Sequence, residues 1–156
     1  MAKVVNGKRN RQVGHSYERL WAKRFRDMGF SYCKTSRQAS RLLDDSKIDL
    51  AFVPYNVQCK SVKANLKYNE VFNEMDEAIK KNFPPSDLVH SYPSIIAHKR
   101  GPKPEDEHVI MKAKDFLNLV EHTVKCENII NNLTSEVSKL EKQVIQLHED
   151  NAGEDI

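Results

Sequence analysis

The 156-residue sequence has no long apolar run: the longest, Leu50-Ala51-Phe52-Val53, is four residues, against the roughly 20 that cross a bilayer as a helix. A helical membrane span is therefore excluded. Cysteine is scarce as well. Cys33, Cys59 and Cys126 make an odd number with no C-x-x-C pair, which argues against a disulfide framework and against a cysteine-rich zinc site. The basic stretch 1–10 is followed by neither an apolar core region nor a small-residue cleavage site, so no export signal is visible and a cytoplasmic protein is expected. With 39% hydrophobic and 30% charged positions, there is material for one ordinary core and too little for two. One domain with an appendage is the expected organisation.

The net charge of +3 is unevenly spread. Residues 1–41 carry +9, residues 42–111 carry −2 and residues 112–156 carry −4. A basic first quarter holding Lys8, Arg9, Arg11, Arg19, Lys23, Arg24, Arg26, Lys34, Arg37 and Arg41 has the electrostatic character of a phosphate-backbone binder. A solvated helix face with a disordered arm has the same composition, and charge alone does not separate the two.

Residues 1–12 are polar, basic and aperiodic, the composition of a flexible arm. From 16 to 28, Tyr17, Leu20, Trp21, Phe25 and Met28 recur at helical spacing, and Gly29 is placed to close that helix. Trp21 is expected in the core. Residues 30–35 alternate like a strand, and 36–47 is a polar connection rich in Ser, Arg and Asp. Residues 48–53 and 57–62 flank Pro54-Tyr55-Asn56 and predict a β-hairpin. A second amphipathic helix over 69–81 ends at Pro84-Pro85. Residues 92–98 and 108–111 predict two further strands, with His98, Lys99 and Arg100 at the tip between them. This order predicts an α/β (α+β) domain with a central mixed sheet flanked by helices.

The C-terminal segment repeats apolar or small residues at 116, 119, 123, 126, 130, 133, 137, 140, 144 and 147, a heptad pattern. Ile130, Val137 and Val144 take the a positions and Leu133, Leu140 and Leu147 the d positions, the combination that favours a parallel two-stranded coil. A homodimer is expected. Glu136 and Glu141 would face each other across it, a like-charge contact that costs a few tenths of a kcal/mol. The expected organisation is therefore an arm over 1–12, a globular domain over 13–121, a coiled coil over 122–148 and an acidic tail over 149–156.

Chemistry gathers in the hairpin. Gln58 and Lys60 are two apart on one strand and share a face; Asp49 on the facing strand can join them, and Glu18 on the first helix can approach the same end of the sheet. Phosphodiester hydrolysis needs a hard divalent cation held by oxygen ligands, a group that positions water, and positive charge for the phosphorus centre. These four side chains supply such parts.

At these residues the sequence resembles the PD-(D/E)xK nuclease superfamily, and within it the archaeal-type Holliday junction resolvases and their phage relatives. The resemblance runs through Gly14-His15-Ser16-Tyr17-Glu18-Arg19, Met28-Gly29-Phe30, the Ser/Arg-rich segment 35–41, Ile48-Asp49-Leu50-Ala51 and Gln58-Cys59-Lys60. It implies a restriction-endonuclease-like core and an endonuclease that cleaves four-way DNA junctions with Mg²⁺, or Mn²⁺ in its place, in host cytoplasm if the source is viral. Asp49, Gln58 and Glu18 would hold the metal, and Lys60 would position water and stabilise charge. Arg19, Arg37 and Ser40 would contact the scissile phosphate or the backbone beside it. Arg11, Lys23, Arg41 and Lys63 complete the expected DNA contacts. Gln58 stands where the family pattern has Glu or Asp, and an amide oxygen brings no charge to a metal. Two other readings therefore stay open: a restriction- or repair-type duplex endonuclease, and a DNA-binding protein that has lost cleavage.

Overall fold

The computed structural model describes residues 7–152, without the side chains of Lys8 or of residues 150–152. It divides into two units, one ending at Lys112 and the other beginning at Ala113. The boundary falls before the expected coil at 122 because the final helix is continuous from Ala113.

The first unit opens with α1 (Gly7–Asp27). The expected arm thus becomes helix from Gly7 onward, and its residues 1–6 lie outside the described residues. The buried face of α1 carries Tyr17, Glu18, Ala22 and Phe25. It ends at Gly29, whose φ of +111° is open to glycine and costly for other residues. Phe30 N–H donates to the Phe25 carbonyl and Gly29 N–H to that of Arg26, a Schellman stop sealed by the Phe25 and Phe30 rings 5.7 Å apart. Trp21 packs at the margin of the core with Arg24 stacked over its ring.

That stop is why the expected strand over 30–35 shrinks to β1 (Lys34–Thr35): Cys33 N–H bonds back to the Phe30 carbonyl, so residues 30–33 are spent in turning. The polar connection that follows is two short helices, α2 (Ser36–Ala39) and α3 (Arg41–Asp45). The Ser40 hydroxyl accepts from Leu43 N–H to cap α3.

The hairpin also differs from expectation. β2 (Leu50–Ala51) pairs antiparallel with β1. β3 (Asn56–Ser61) instead pairs in parallel with β4 (Ser94–Lys99), which pairs antiparallel with β5 (Glu107–Met111). The result is a two-stranded sheet and a mixed three-stranded sheet β3-β4-β5, not one central sheet. Phe52, at φ +64°, turns the chain through the left-handed region, and Pro54 has no N–H for a ladder; together they end β2 early. The crossover from β3 to β4 runs through α4 (Tyr68–Asn82), the connection that parallel neighbours require. α4 buries Phe72, Met75 and Ile79 and ends before Pro84-Pro85.

β4 is buried from Ser94 to His98, as the middle strand should be. His98 is therefore not at an exposed tip. It is fully enclosed, with Nδ1 3.1 Å from the Tyr68 hydroxyl and Nε2 2.9 Å from the Val62 carbonyl. One apolar cluster joins Ala22 and Phe25 to Cys33, Leu50, Val53 and Val57; a second joins Ile48 to Ile79 and Val89.

α1 is tied to the edge strand by charge. Arg24 donates to both oxygens of Glu107 (2.6 and 3.0 Å) and the Tyr17 hydroxyl donates to Oε1 (2.7 Å). The Arg24 guanidinium, foremost, and the Tyr17 hydroxyl hold the Glu107 carboxyl below its usual 4.5. A lowered carboxyl contributes stability that is present above the unfolded value and lost as pH falls through the folded one. Because Arg24 is 40% exposed, solvent screens the pair, and Glu107→Gln is expected to cost only about 1 kcal/mol near pH 7. Urea midpoints for the two proteins should differ near pH 7, and the gap should narrow as pH falls below the usual 4.5.

The second unit is α5 (Ala113–Ala152), a single helix of 40 residues. Its a and d residues from Ile130 to Leu147 are 52–61% exposed. The expected acidic tail is helical through residue 152, and 153–156 lie outside the described residues. No helix of the described residues is long and apolar enough to cross a membrane.

Candidate metal and phosphodiester site

Asp49 is the junction between the two sheets. Its N–H donates to the Val57 carbonyl (2.7 Å), and its carbonyl accepts from Ser36 N–H (2.8 Å). Its neighbours Ile48 and Leu50 are buried in different apolar clusters, and Asp49 itself is half-buried. Oδ2 accepts from the backbone N–H of Cys59 at 2.6 Å. Burial pushes the Asp49 carboxyl up to about 7; the Cys59 N–H and Lys60 pull it down, while Glu18 and Asp44 add to the rise. These causes place Glu18 and Lys60 in the electrostatic neighbourhood of Asp49, as the sequence pattern requires.

Glu18 reaches this region from α1 and is 6% exposed. Its Oε2 is 3.3 Å from Arg37 Nε, which also lies 3.8 Å from Asp44 Oδ1. Arg37 is thus shared between two carboxylates. Val57 and Cys59 belong to or pack against the cluster that includes α1, so strand alternation puts Gln58 and Lys60 on the opposite face. Glu18 on α1 and the pair Gln58/Lys60 on β3 thus come toward Asp49 from different elements.

Gln58 is 5% exposed, and its Oε1 has no hydrogen-bond partner. A buried amide oxygen left unpaired costs about 1–3 kcal/mol, which a bound cation would offset. Ser36 Oγ is a second unpaired buried oxygen, on the residue whose N–H binds the Asp49 carbonyl. Among the described residues no group of three or more His, Cys, Asp or Glu side chains is arranged to hold a metal. Two carboxylates with an amide oxygen are the set present, and all are hard oxygen donors of the kind Mg²⁺ takes. The donor chemistry and the unpaired Oε1 fit such an ion.

The expected DNA contacts are dispersed. Arg11 is two helical turns before Glu18 and shares its flank of α1. Arg19 donates to Ser16 Oγ. Lys23 pairs with Asp27 (2.6 Å) and Arg41 with Asp45 (3.6 Å), and Ser40 is occupied in capping α3. Lys63 is exposed just beyond β3. Cys59 and Ser36 act on Asp49 through backbone N–H groups that every non-proline residue carries, so their roles left no mark in the sequence. Asp44 on α3, in the polar stretch 36–47, serves as the second partner of Arg37.

Compared with family models, with curated proteins and with solved structures, the chain matches none of them.

Proposed function

We propose that this protein is a metal-dependent DNA endonuclease, a Holliday junction resolvase with a restriction-endonuclease-like core, working as a homodimer joined through α5. The observation that carries this reading is the crowding of Glu18 and Lys60 about the partly buried Asp49, with Gln58 Oε1 unpaired on the adjoining strand. Asp49, Glu18 and Gln58 would hold Mg²⁺, or Mn²⁺ in its place. Such an ion supplies Lewis-acid polarisation of the phosphate and a more acidic water.

The chain's own residues do the rest. The Cys59 N–H fixes the Asp49 carboxylate in one orientation. Arg37 Nε holds the Glu18 carboxylate at 3.3 Å and is itself near enough to steer a phosphate toward the site. The Lys60 ammonium orients water and offsets the negative charge that builds on the non-bridging oxygens as phosphorus becomes five-coordinate. The bond broken is P–O3′, leaving a 5′-phosphate and a 3′-hydroxyl. Four-way junctions suit a twofold-symmetric enzyme because resolution needs two matched incisions.

The test offers purified protein a four-way junction and a linear duplex of matching sequence with Mg²⁺. Junction cutting that Lys60→Ala lowers by about 10²–10³-fold, the scale of removing one transition-state charge partner, with binding retained, is the expected result. Equal cutting of both substrates overturns the junction preference in favour of a duplex endonuclease. Salt-sensitive binding without any metal-dependent nicking overturns the enzyme reading.

A further inference from the structure

On the flank of α1 turned away from Glu18, two adjoining hollows of about 500 and 220 Å³ run between the first turns of the helix and the far ends of β3 and β4. They share Val13, Ser61 and Lys99, so they form one continuous groove. Arg9 stands at one end of it; Lys63 and Arg100 stand at the other. Arg9, Lys63, Lys99 and Arg100 come from three chain segments far apart in sequence, and no Asp or Glu is among the lining residues.

What sets this groove apart is that four cations line one concavity with no carboxylate among them. Lys23, Arg37 and Arg41 each lie within 4.0 Å of a carboxylate. Among the described residues no such ion pair involves Arg9, Lys63, Lys99 or Arg100. Glu107, which faces Lys99 in the β4–β5 register, is already taken by Arg24 and Tyr17. Arg100 is held in place by the Asn65 side chain, 2.7 Å away. Like charges gathered in a concavity repel one another, and a polyanion that releases its counterions on entering relieves that repulsion. Ser61 supplies an uncharged hydroxyl of the kind that bonds phosphate oxygens.

We infer that this groove is a second DNA site, a track for the sugar-phosphate backbone of one duplex arm, separated by α1 from the strand to be cut. The inference rests on the nuclease reading for the identity of the polyanion and on the unpaired cations for its location. Contacts of this kind carry no base sequence, so the groove binds without sequence preference.

The test measures binding, not cleavage. In Mg²⁺-free buffer, fluorescence anisotropy of a labelled duplex and a labelled four-way junction is followed from 50 to 300 mM NaCl. Full-length protein is compared with the triple variant Lys63→Gln, Lys99→Gln, Arg100→Gln. The control is Lys67→Gln, Lys112→Gln, Lys125→Gln, which removes equal charge at positions already paired with carboxylates. At about 0.9 per phosphate contact, the groove variant should lower the slope of log K against log salt by roughly 2–3 and weaken binding at least about tenfold near 100 mM. The control should leave the slope unchanged, and circular dichroism should be the same for all three. Unchanged binding in the groove variant, an equal loss in the control, or no DNA binding by the parent protein each overturns the proposal; tighter binding of single-stranded RNA than of DNA overturns the ligand. Groove-dependent binding by a protein that never cuts sinks the nuclease reading and leaves the groove standing. Junction cutting with a silent groove variant does the reverse.

Discussion

Asp49→Asn is expected to abolish junction cleavage and, in the same protein, to make the fold more stable. The loss of activity follows from removing a ligand charge; cleavage should fall at least about 100-fold, the upper figure for disturbing a metal ligand's own support. The gain in stability follows from where that charge lies. Burial, aided by Glu18 and Asp44, raises the Asp49 carboxyl from 3.8 to about 7, so the folded state holds this proton more tightly than the unfolded chain does. The associated stability is complete below pH about 4, declines as pH rises, and is gone above pH about 7. At about 1.36 kcal/mol per decade, roughly three decades amount to about 4 kcal/mol. Asparagine keeps an oxygen for the Cys59 N–H and carries no charge to desolvate. At pH 8 the variant should therefore unfold about 2–4 kcal/mol later than the parent, and the two should converge near pH 4. Adding Mg²⁺ at pH 8 should raise the parent's melting temperature and leave the variant's nearly unmoved. A variant no more stable than the parent at pH 8 would mean that the carboxyl is well hydrated, and would overturn the proposed cation seat.

Leu133→Asp combined with Leu140→Asp is expected to leave the chain monomeric where the proposed homodimer would otherwise form. Both leucines are more than half exposed on α5, so each keeps its full apolar surface to bury against a second copy. Burying one leucine contributes on the order of 1.5–3 kcal/mol, and the double change removes four from each dimer, roughly 6–12 kcal/mol in total. That is at least about 10⁴ in the dissociation constant, enough to abolish association at micromolar concentration. Sedimentation equilibrium measures it directly. On a four-way junction the monomer should nick single strands and lose paired, symmetric incision. A double variant that stays dimeric would move the interface to the globular unit, and a monomer that still resolves junctions symmetrically would make α5 accessory.

Legibility differed from one element to the next, for physical reasons. Periodicity located α4 and the final helix within a few residues, because an apolar stripe at helical spacing has one favourable conformation over 10 residues or more. It missed residues 7–15 of α1, a mostly polar stretch with no apolar stripe, which is helical as an extension of the amphipathic segment that follows. The hairpin was half legible. Both strand segments lie close to their expected places, but their pairing depends on Phe52 adopting positive φ and on β4 arriving as a parallel partner, and neither is written in local pattern. The same holds for the polar stretch after β1, where Ser40 turns a connection into two capped helical turns.

Residue types alone determined much about this protein: a mixed α/β domain followed by a heptad helix, a basic first quarter, and a set of side chains suited to hard-cation phosphate chemistry. Only the tertiary structure decided where those charges are spent. It gave Lys23, Arg37 and Arg41 carboxylate partners and left Arg9, Lys63, Lys99 and Arg100 without them. It enclosed His98, and it put Asp49 between two apolar clusters with Glu18 and Lys60 around it. Periodicity follows from local backbone geometry, which a short window of sequence contains. The free energy of a charge follows from its distance to other charges and to water, and folding sets both by bringing together residues that lie tens of positions apart.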